Sequence, residues 1–213
     1  MNKKVVIIDY ELGNLFSVLQ ACQHVGLNAV ITNEIKLING ADAIILPGVG
    51  AYGVAMEKLI KLNLVNPLLD FAASGRPFLG ICLGMQLLFS KSYEYGEHIG
   101  LNIIPGEIHS FRNTNNKLLK VPQIQWNLIT QFRNKSWEES ILSNIPNSTF
   151  MYFVHSYYCS PKTKTNILSK TIYGGLEYTS AIQSKNIMGV QFHPEKSSKY
   201  GLEIYNNFSK MIN

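Results

Sequence analysis

At 213 residues, with 46% hydrophobic side chains and three cysteines, the chain is long enough to bury a core without disulfides. Its formal charge of +5 comes from scattered residues, mostly lysine, with no dense block or arginine stripe, so neither composition nor patterning points to nucleic acid. MNKKVVIIDY is too short in apolar residues for a signal peptide, no apolar run reaches the roughly 18 residues of a membrane span, and Cys22, Cys82 and Cys159 lack disulfide or metal-ligand spacing; a soluble cytoplasmic protein without a metal is the expectation.

In chain order, KKVVIID reads as a buried strand ending at the carboxylate of Asp9, and NLFSVLQACQHVG as a helix capped by Asn14 and stopped near Gly26. NAVIT and ADAIILPG are short apolar strands, the second leaving through a Pro-Gly turn. AYGVAMEKLIKLN and LVNPLLDFAASG carry helical periodicity, and RPFLGI is the next strand. Alternating strands and helices imply right-handed crossovers and a mainly parallel sheet covered on both faces. Past about Tyr93 the pieces become shorter and turn-rich: PGEIHSF, KLLKVPQIQWN, FMYFVHSYYC, ILSKTIYG and LEYTSAIQSKNIMGVQFHP read as an antiparallel second half, with QSKN as a hairpin turn. SKYGLEIYNNFSKMI is a closing helix with Leu202, Tyr205, Phe208, Ser209 and Ile212 near one face. With no repeat or linker, one α/β domain over residues 1–213 is expected. In open parallel sheets functional groups gather at the carboxyl ends of strands, which makes Asp9, Pro47 to Gly50 and Cys82 expected neighbours.

GICLGMQLLF, residues 80–89, places Cys82 at a Gly-x-Cys-x-Gly corner between a strand and a helix. Such a turn lifts its middle side chain above the sheet, as in the nucleophile elbow of hydrolases, and the amino end of a helix favours thiolate over thiol. A buried cysteine acting as a small hydrophobe is the plainer alternative. A thiol nucleophile needs a base, and the base needs an orienter. His193 in GVQFHPEKSS follows a strand, and Pro194 holds the exit extended so that Glu195 can reach back to the imidazole, giving a Cys, His, Glu order. His24 and His98 read as structural or solvated, His109 sits beside Glu107, and His155 is a candidate for shaping a pocket. LPGVGAYG sets Gly48 and Gly50 around Val49, where backbone N–H groups can turn toward an oxyanion; it lacks the Gly-Lys-Ser/Thr ending of a phosphate loop.

Taken together, GICLGMQLLF, VQFHPEKSS, LPGVGAYG and YFVHSYY resemble the class I (triad) glutamine amidotransferases, and IDYELGNLFSV and KVPQIQWN resemble the branch that furnishes the glutaminase subunit of imidazole glycerol phosphate synthase. The likeness runs from the first strand to the final helix. It implies a flavodoxin-like α/β fold with an antiparallel extension and no cofactor. It further implies that Cys82 attacks the side-chain amide of glutamine to form a thioester, with His193 oriented by Glu195 as proton shuttle. The N–H groups of Leu83 and of Val49, after rearrangement of Pro47 to Gly50, would hold the oxyanion; Gly50, Gln86, Ser156 and Tyr157 would seat glutamine. Asn14, Trp126, Tyr152 and Lys196 would lie toward a partner, a β/α-barrel cyclase that receives the ammonia and makes imidazole glycerol phosphate and AICAR in histidine biosynthesis.

Three positions depart from the branch's usual pattern. Gln123 stands for a histidine, Gln125 for a glycine, and Glu11 for another glycine. None belongs to the triad, but all fall in segments expected near the partner or the glutamine pocket. They keep open a related glutaminase subunit that feeds a nucleotide-sugar amidotransferase. A cysteine peptidase or esterase would need an extended groove, and a scaffold without activity would be expected to have lost part of the triad.

Overall fold

A computed structural model of the chain describes residues 3–113 and 119–212. The first half runs β1 (Lys4–Ile8), α1 (Leu15–His24), β2 (Asn28–Thr32), α2 (Ile35–Asn39), β3 (Ala43–Leu46), α3 (Tyr52–Lys61), α4 (Val65–Ala73), β4 (Phe78–Ile81) and α5 (Leu83–Leu87). The second half runs β5 (Phe89–Ser92), β6 (His98–Ile99), β7 (Ile104–Ser110), β8 (Gln123–Gln131), β9 (Thr149–His155), β10 (Tyr157–Pro161), β11 (Ile167–Tyr173), β12 (Leu176–Ser184), β13 (Ile187–Val190) and α6 (Ser198–Met211).

β1 reads as an unbroken apolar run because both of its faces are covered. Val5 and Ile7 pack into one core with α1 and α6, through Val18, Cys22, Ile204 and Phe208, while Val6 and Ile8 pack into a second with α3 and α4, through Tyr52, Leu59, Leu68 and Phe71. The period-2 alternation of a strand thus divides one sequence between two layers. Along the sheet the order is β2-β1-β3-β4-β13, all parallel, continuing through β12, β10, β7, β5 and β6, with β11, β8 and β9 branching from β12. This is the expected helix-covered parallel core with an antiparallel extension.

Several local readings are corrected. Asn14 precedes α1 but its side chain makes no cap hydrogen bond. FMYFVHSYYC is two strands broken at Ser156, and the start of KLLKVPQIQWN at 117 and 118 lies outside the described residues. On α6 the buried stripe is Gly201, Ile204, Tyr205, Asn207 and Phe208; Leu202 and Ser209 are only half-buried, since the face pressed on the sheet is centred between Ile204 and Phe208. QSKN does turn between β12 and β13, with Lys185 at φ 54°. No described helix is long and apolar enough to cross a membrane.

Candidate active site

The parallel strands β1, β3, β4 and β13 deliver their following loops to one side of the sheet, where a cavity of about 260 Å³ opens. Cys82 lies at its floor. Its backbone holds φ 54° and ψ −112°, a sparsely populated conformation that costs on the order of 1–3 kcal/mol and marks a sharp strand-to-helix corner. The corner demands small neighbours: a Cβ on Gly84 would stand 1.7 Å from the Leu46 carbonyl oxygen. The Cys82 N–H, donating to Val190 O at 2.8 Å, ties the corner to β13. Contrary to the expectation of a thiol standing clear of its surroundings, Cys82 is 5% exposed and meets solvent through the cavity.

Across from it, the His193 N–H donates to Tyr152 O at 2.9 Å, and the turn through Pro194 brings Glu195 Oε1 to 2.8 Å from His193 Nδ1. The ring and the Cys82 side chain line the same cavity and interact electrostatically. Burial by itself lowers the His193 pKa, but the negative charge of Cys82, with Glu195 added, outweighs it and pushes the imidazole up to about 10. Glu195 is only 1% exposed, so its charge acts on the ring with little screening.

Val49, Gly50 and Leu83 line the same cavity, with Gly50 at φ 103°, a conformation that favours glycine. Gln86 Nε2 donates to Tyr157 O at 3.0 Å and to Gln191 Oε1 at 3.1 Å, and Ser156 and Tyr157 line the wall at the break between β9 and β10. Asn14 and Lys196 also reach the cavity. Trp126 and Tyr152 do not; they form an edge-on pair at 6.0 Å outside it, with Lys196 Nζ 5.9 Å from the Tyr152 ring. Strand register puts Ile124, Trp126, Phe150 and Tyr152 on one face of the β8–β9 hairpin, and the first three are 47–59% exposed.

Asp9 is not in the cavity wall: its Oδ1 accepts the Glu11 N–H at 3.0 Å, a local turn that occupies the carboxylate. His24, His98 and His109 are likewise outside it, His98 lying in β6 and His109 pairing with Glu107 at 3.4 Å. Glu11 sits at φ 67°, the region glycine favours, and pairs with Lys58. Gln125 is exposed on β8, whereas Gln123 is fully buried and accepts from Tyr178 Oη at 3.0 Å. Among the described residues no group of three His, Cys, Asp or Glu could hold a metal.

Sequence reasoning passed over Gln191, and over Glu94, whose carboxylate is 9% exposed, lines the cavity and accepts the Tyr52 N–H at 2.5 Å. Burial raises the Glu94 pKa, partly offset by that N–H and by His98. No local pattern announces either residue: Glu94 reaches the cavity from the segment after β5, and Gln191 lies fully buried after β13.

His155 is a wall residue with a structural signature. Its Nδ1 faces Tyr157 O at 2.8 Å and its Nε2 faces Tyr178 Oη at 3.2 Å. Burial, against the help of the Tyr157 carbonyl, lowers its pKa to about 4, so the folded state holds the ring neutral. Between pH 6.5 and 4 the unfolded chain binds a proton that the folded chain does not, and stability falls as pH falls through that window. The expected loss is about 3 kcal/mol. Denaturant melts of the wild type and of His155→Asn over that range should converge toward low pH; parallel curves would show that His155 charges without cost.

The family model for glutamine amidotransferase class-I matches residues 6–211. The chain belongs to the class-I glutamine amidotransferases. It is 42% identical over 207 residues to the imidazole glycerol phosphate synthase subunit HisH of Chlorobium chlorochromatii, covering 97% of this chain and 100% of that one. To the protein of the same name from Aquifex aeolicus it is 44% identical over 208 residues, covering 97% and 96%. The fold is shared with PurLQS from Thermotoga maritima, at a TM-score of 0.73, 15% identity and full coverage of both chains, and with a glutamine amidotransferase of the same organism, at 0.61, 15% identity and coverage of 99% and 84%. This amidotransferase therefore carries, at the carboxyl end of its sheet, a thiol, an imidazole and a carboxylate in one line, the carboxylate hydrogen-bonded to the imidazole. Such a line can pass the thiol proton to the ring and stabilise the ion pair that results.

Proposed function

We propose that this amidotransferase is the glutaminase subunit of an imidazole glycerol phosphate synthase, with Cys82 as nucleophile, His193 as general acid and base, and Glu195 as the group that orients and charges the ring. The thiolate adds to the side-chain carbonyl carbon of glutamine, and the carbonyl π electrons move onto oxygen. The N–H groups of Leu83 and Val49 receive that oxyanion. As the C–N bond breaks, His193 returns the proton to nitrogen, releasing ammonia and leaving a glutamyl thioester on Cys82. Water, deprotonated by His193, then breaks the thioester to glutamate and thiol.

The observation that carries this reading is the alignment of Cys82, His193 and Glu195 over a cavity of about 260 Å³. That volume suits one amino acid rather than the extended groove of a peptidase. Gln86 and the backbone at Ser156 and Tyr157 seat the substrate beside Gly50. Glu94 supplies the buried negative charge that the α-ammonium group requires. On this basis Glu94→Gln is expected to raise KM for glutamine about 10- to 100-fold with a smaller change in kcat, the worth of one charge-assisted contact. A KM left at the wild-type value would remove Glu94 from the ammonium site.

The partner reading rests on the exposed apolar face of β8–β9, continuous with Lys196 and the mouth of the cavity. Trp126, Tyr152 and Lys196, with Asn14, meet a β/α-barrel cyclase there, which takes the ammonia and forms imidazole glycerol phosphate and AICAR. The backbone bond from His193 N–H to Tyr152 O makes the partner face and the base immediate neighbours, so docking acts directly on the site. The 42–44% identity over nearly the whole chain to subunits of that name favours this partner over a nucleotide-sugar amidotransferase. The subunit works as one domain in the cytoplasm. Glutamate release should be slow with the purified chain and strongly stimulated by the same organism's cyclase with its ribulosyl ligand; silence with that cyclase, and activity beside a sugar amidotransferase, would overturn the pathway assignment.

A further inference from the structure

Behind the nucleophile, the side chains of Gln86 and Gln191 form a line that has only one consistent direction. Tyr157 O is a backbone carbonyl and can only accept, so the Gln86 atom 3.0 Å from it is the amide nitrogen. That nitrogen lies 3.1 Å from the Gln191 side chain, which must present its Oε1 there. The Cys159 thiol, a second donor 3.8 Å from the same oxygen, agrees. Gln191 is thereby left with its amide nitrogen facing Cys82 Sγ at 3.8 Å. The approach is fixed by the sheet: β4 and β13 are in parallel register at Ile81 and Val190, so the residues that follow, Cys82 and Gln191, are neighbours. Gln191 is fully buried and Gln86 nearly so, which keeps water from competing for these bonds.

The other partners of the sulfur change value when it ionises. The thiol donates to Val154 O at 3.7 Å, and once the proton is gone that carbonyl turns the negative end of its dipole toward an anion. The Gln191 amide does the opposite: a weak contact to a thiol becomes a charge-assisted hydrogen bond to a thiolate. We propose that Gln191 is the fixed donor that holds the Cys82 thiolate, aimed by Gln86, so that the glutamine seat and the nucleophile share one hydrogen-bonded line. The proposal deepens the reading of Cys82 as the nucleophile and rests on it.

The groups facing Cys82 leave room for that role. Burial raises Tyr10 after β1, Cys159 on β10 and Tyr178 on β12, so all three are neutral near pH 7. Burial lowers His155 at the end of β9 to about 4 and keeps it neutral as well. His193, backed by Glu195, supplies the positive charge, and Glu94 and Lys196 line the cavity above. Among these groups Gln191 is the neutral donor to the sulfur.

The test is iodoacetamide alkylation of the full chain, read at the Cys82 peptide by mass spectrometry across the neutral pH range, for wild type, Gln191→Glu and Gln191→Met. Gln191→Glu keeps the acceptor for Gln86 while replacing the donor; Gln191→Met removes both at similar volume. In both, the alkylation rate at pH 7 is expected to fall about tenfold and the profile to move to higher pH. In Gln191→Glu, kcat for glutamine should fall with it while KM stays within about twofold. Wild-type rate and profile in Gln191→Glu would overturn the proposal. If full alkylation of wild-type Cys82 leaves glutamine hydrolysis intact, the nucleophile reading itself falls, and this proposal with it. A measurement on the unsubstituted chain covers the case of a variant that fails to fold: the Gln191 side-chain amide resonances should shift over the same pH window in which Cys82 becomes reactive, and fixed resonances would overturn the role.

Discussion

Cys82→Ser is expected to abolish glutamine-dependent synthesis by the assembled synthase while leaving synthesis from added ammonia close to the wild-type rate. The substitution is nearly isosteric, and the corner at φ 54° is set by the backbone and by Gly84 against Leu46, so fold and partner face are retained. What changes is the nucleophile. A hydroxyl is a far poorer acid than a thiol, and without Cys82 the imidazole loses the neighbour that does most to raise its pKa, so no comparable ion pair forms. Loss of at least about 10³-fold in glutamine-dependent kcat follows if attack by sulfur is the step being removed. Parallel loss of the ammonia-dependent rate would mean that Cys82 holds the assembly together.

Glu195→Gln should be the second most damaging conservative change. The carboxylate accepts from His193 Nδ1 at 2.8 Å and is 1% exposed. An amide there keeps the shape but removes the charge, and it can present its NH₂ to the ring, turning the imidazole to the wrong tautomer. A loss of about 10²- to 10⁴-fold in kcat is expected, the range associated with an orienting carboxylate. Stability should respond with a definite sign. The folded state holds the His193 proton up to about 10, whereas an unperturbed histidine releases it near 6.5. The stabilisation tied to that proton is complete below pH 6.5 and is lost as pH rises through 10, so the wild-type advantage over Glu195→Gln should narrow across this window. An advantage that grows with pH would mean the ring is neutral in the native protein.

The parts of this molecule that were legible in sequence are those in which chemistry is local. The elbow shows in five residues because a strand-to-helix corner needs glycine on both sides of its central residue, and Glu195 shows because Pro194 keeps it within reach of the ring two positions away. β1, β3 and β4 show as apolar runs because both of their faces are covered. Glu94, Gln191 and the His155–Tyr178–Gln123 line were not legible, because each role depends on strands far apart in the chain meeting in register. Asp9 was misplaced because strand ends gather at one side of a sheet without all pointing into one cavity. Glu11, read as a departure from glycine, sits where a glycine would be at ease and recovers part of that cost through Lys58.

The central claim is that glutamine passes through a covalent bond to Cys82. Rapid acid quench of the chain with the proposed cyclase partner and its ligand during turnover of labelled glutamine, followed by peptide mass mapping, tests it directly. The account predicts one glutamyl group on the Cys82 peptide, discharged by hydroxylamine and absent from Cys82→Ser. Label found on another residue, or turnover with no adduct when release of the acyl group is slowed, would contradict it.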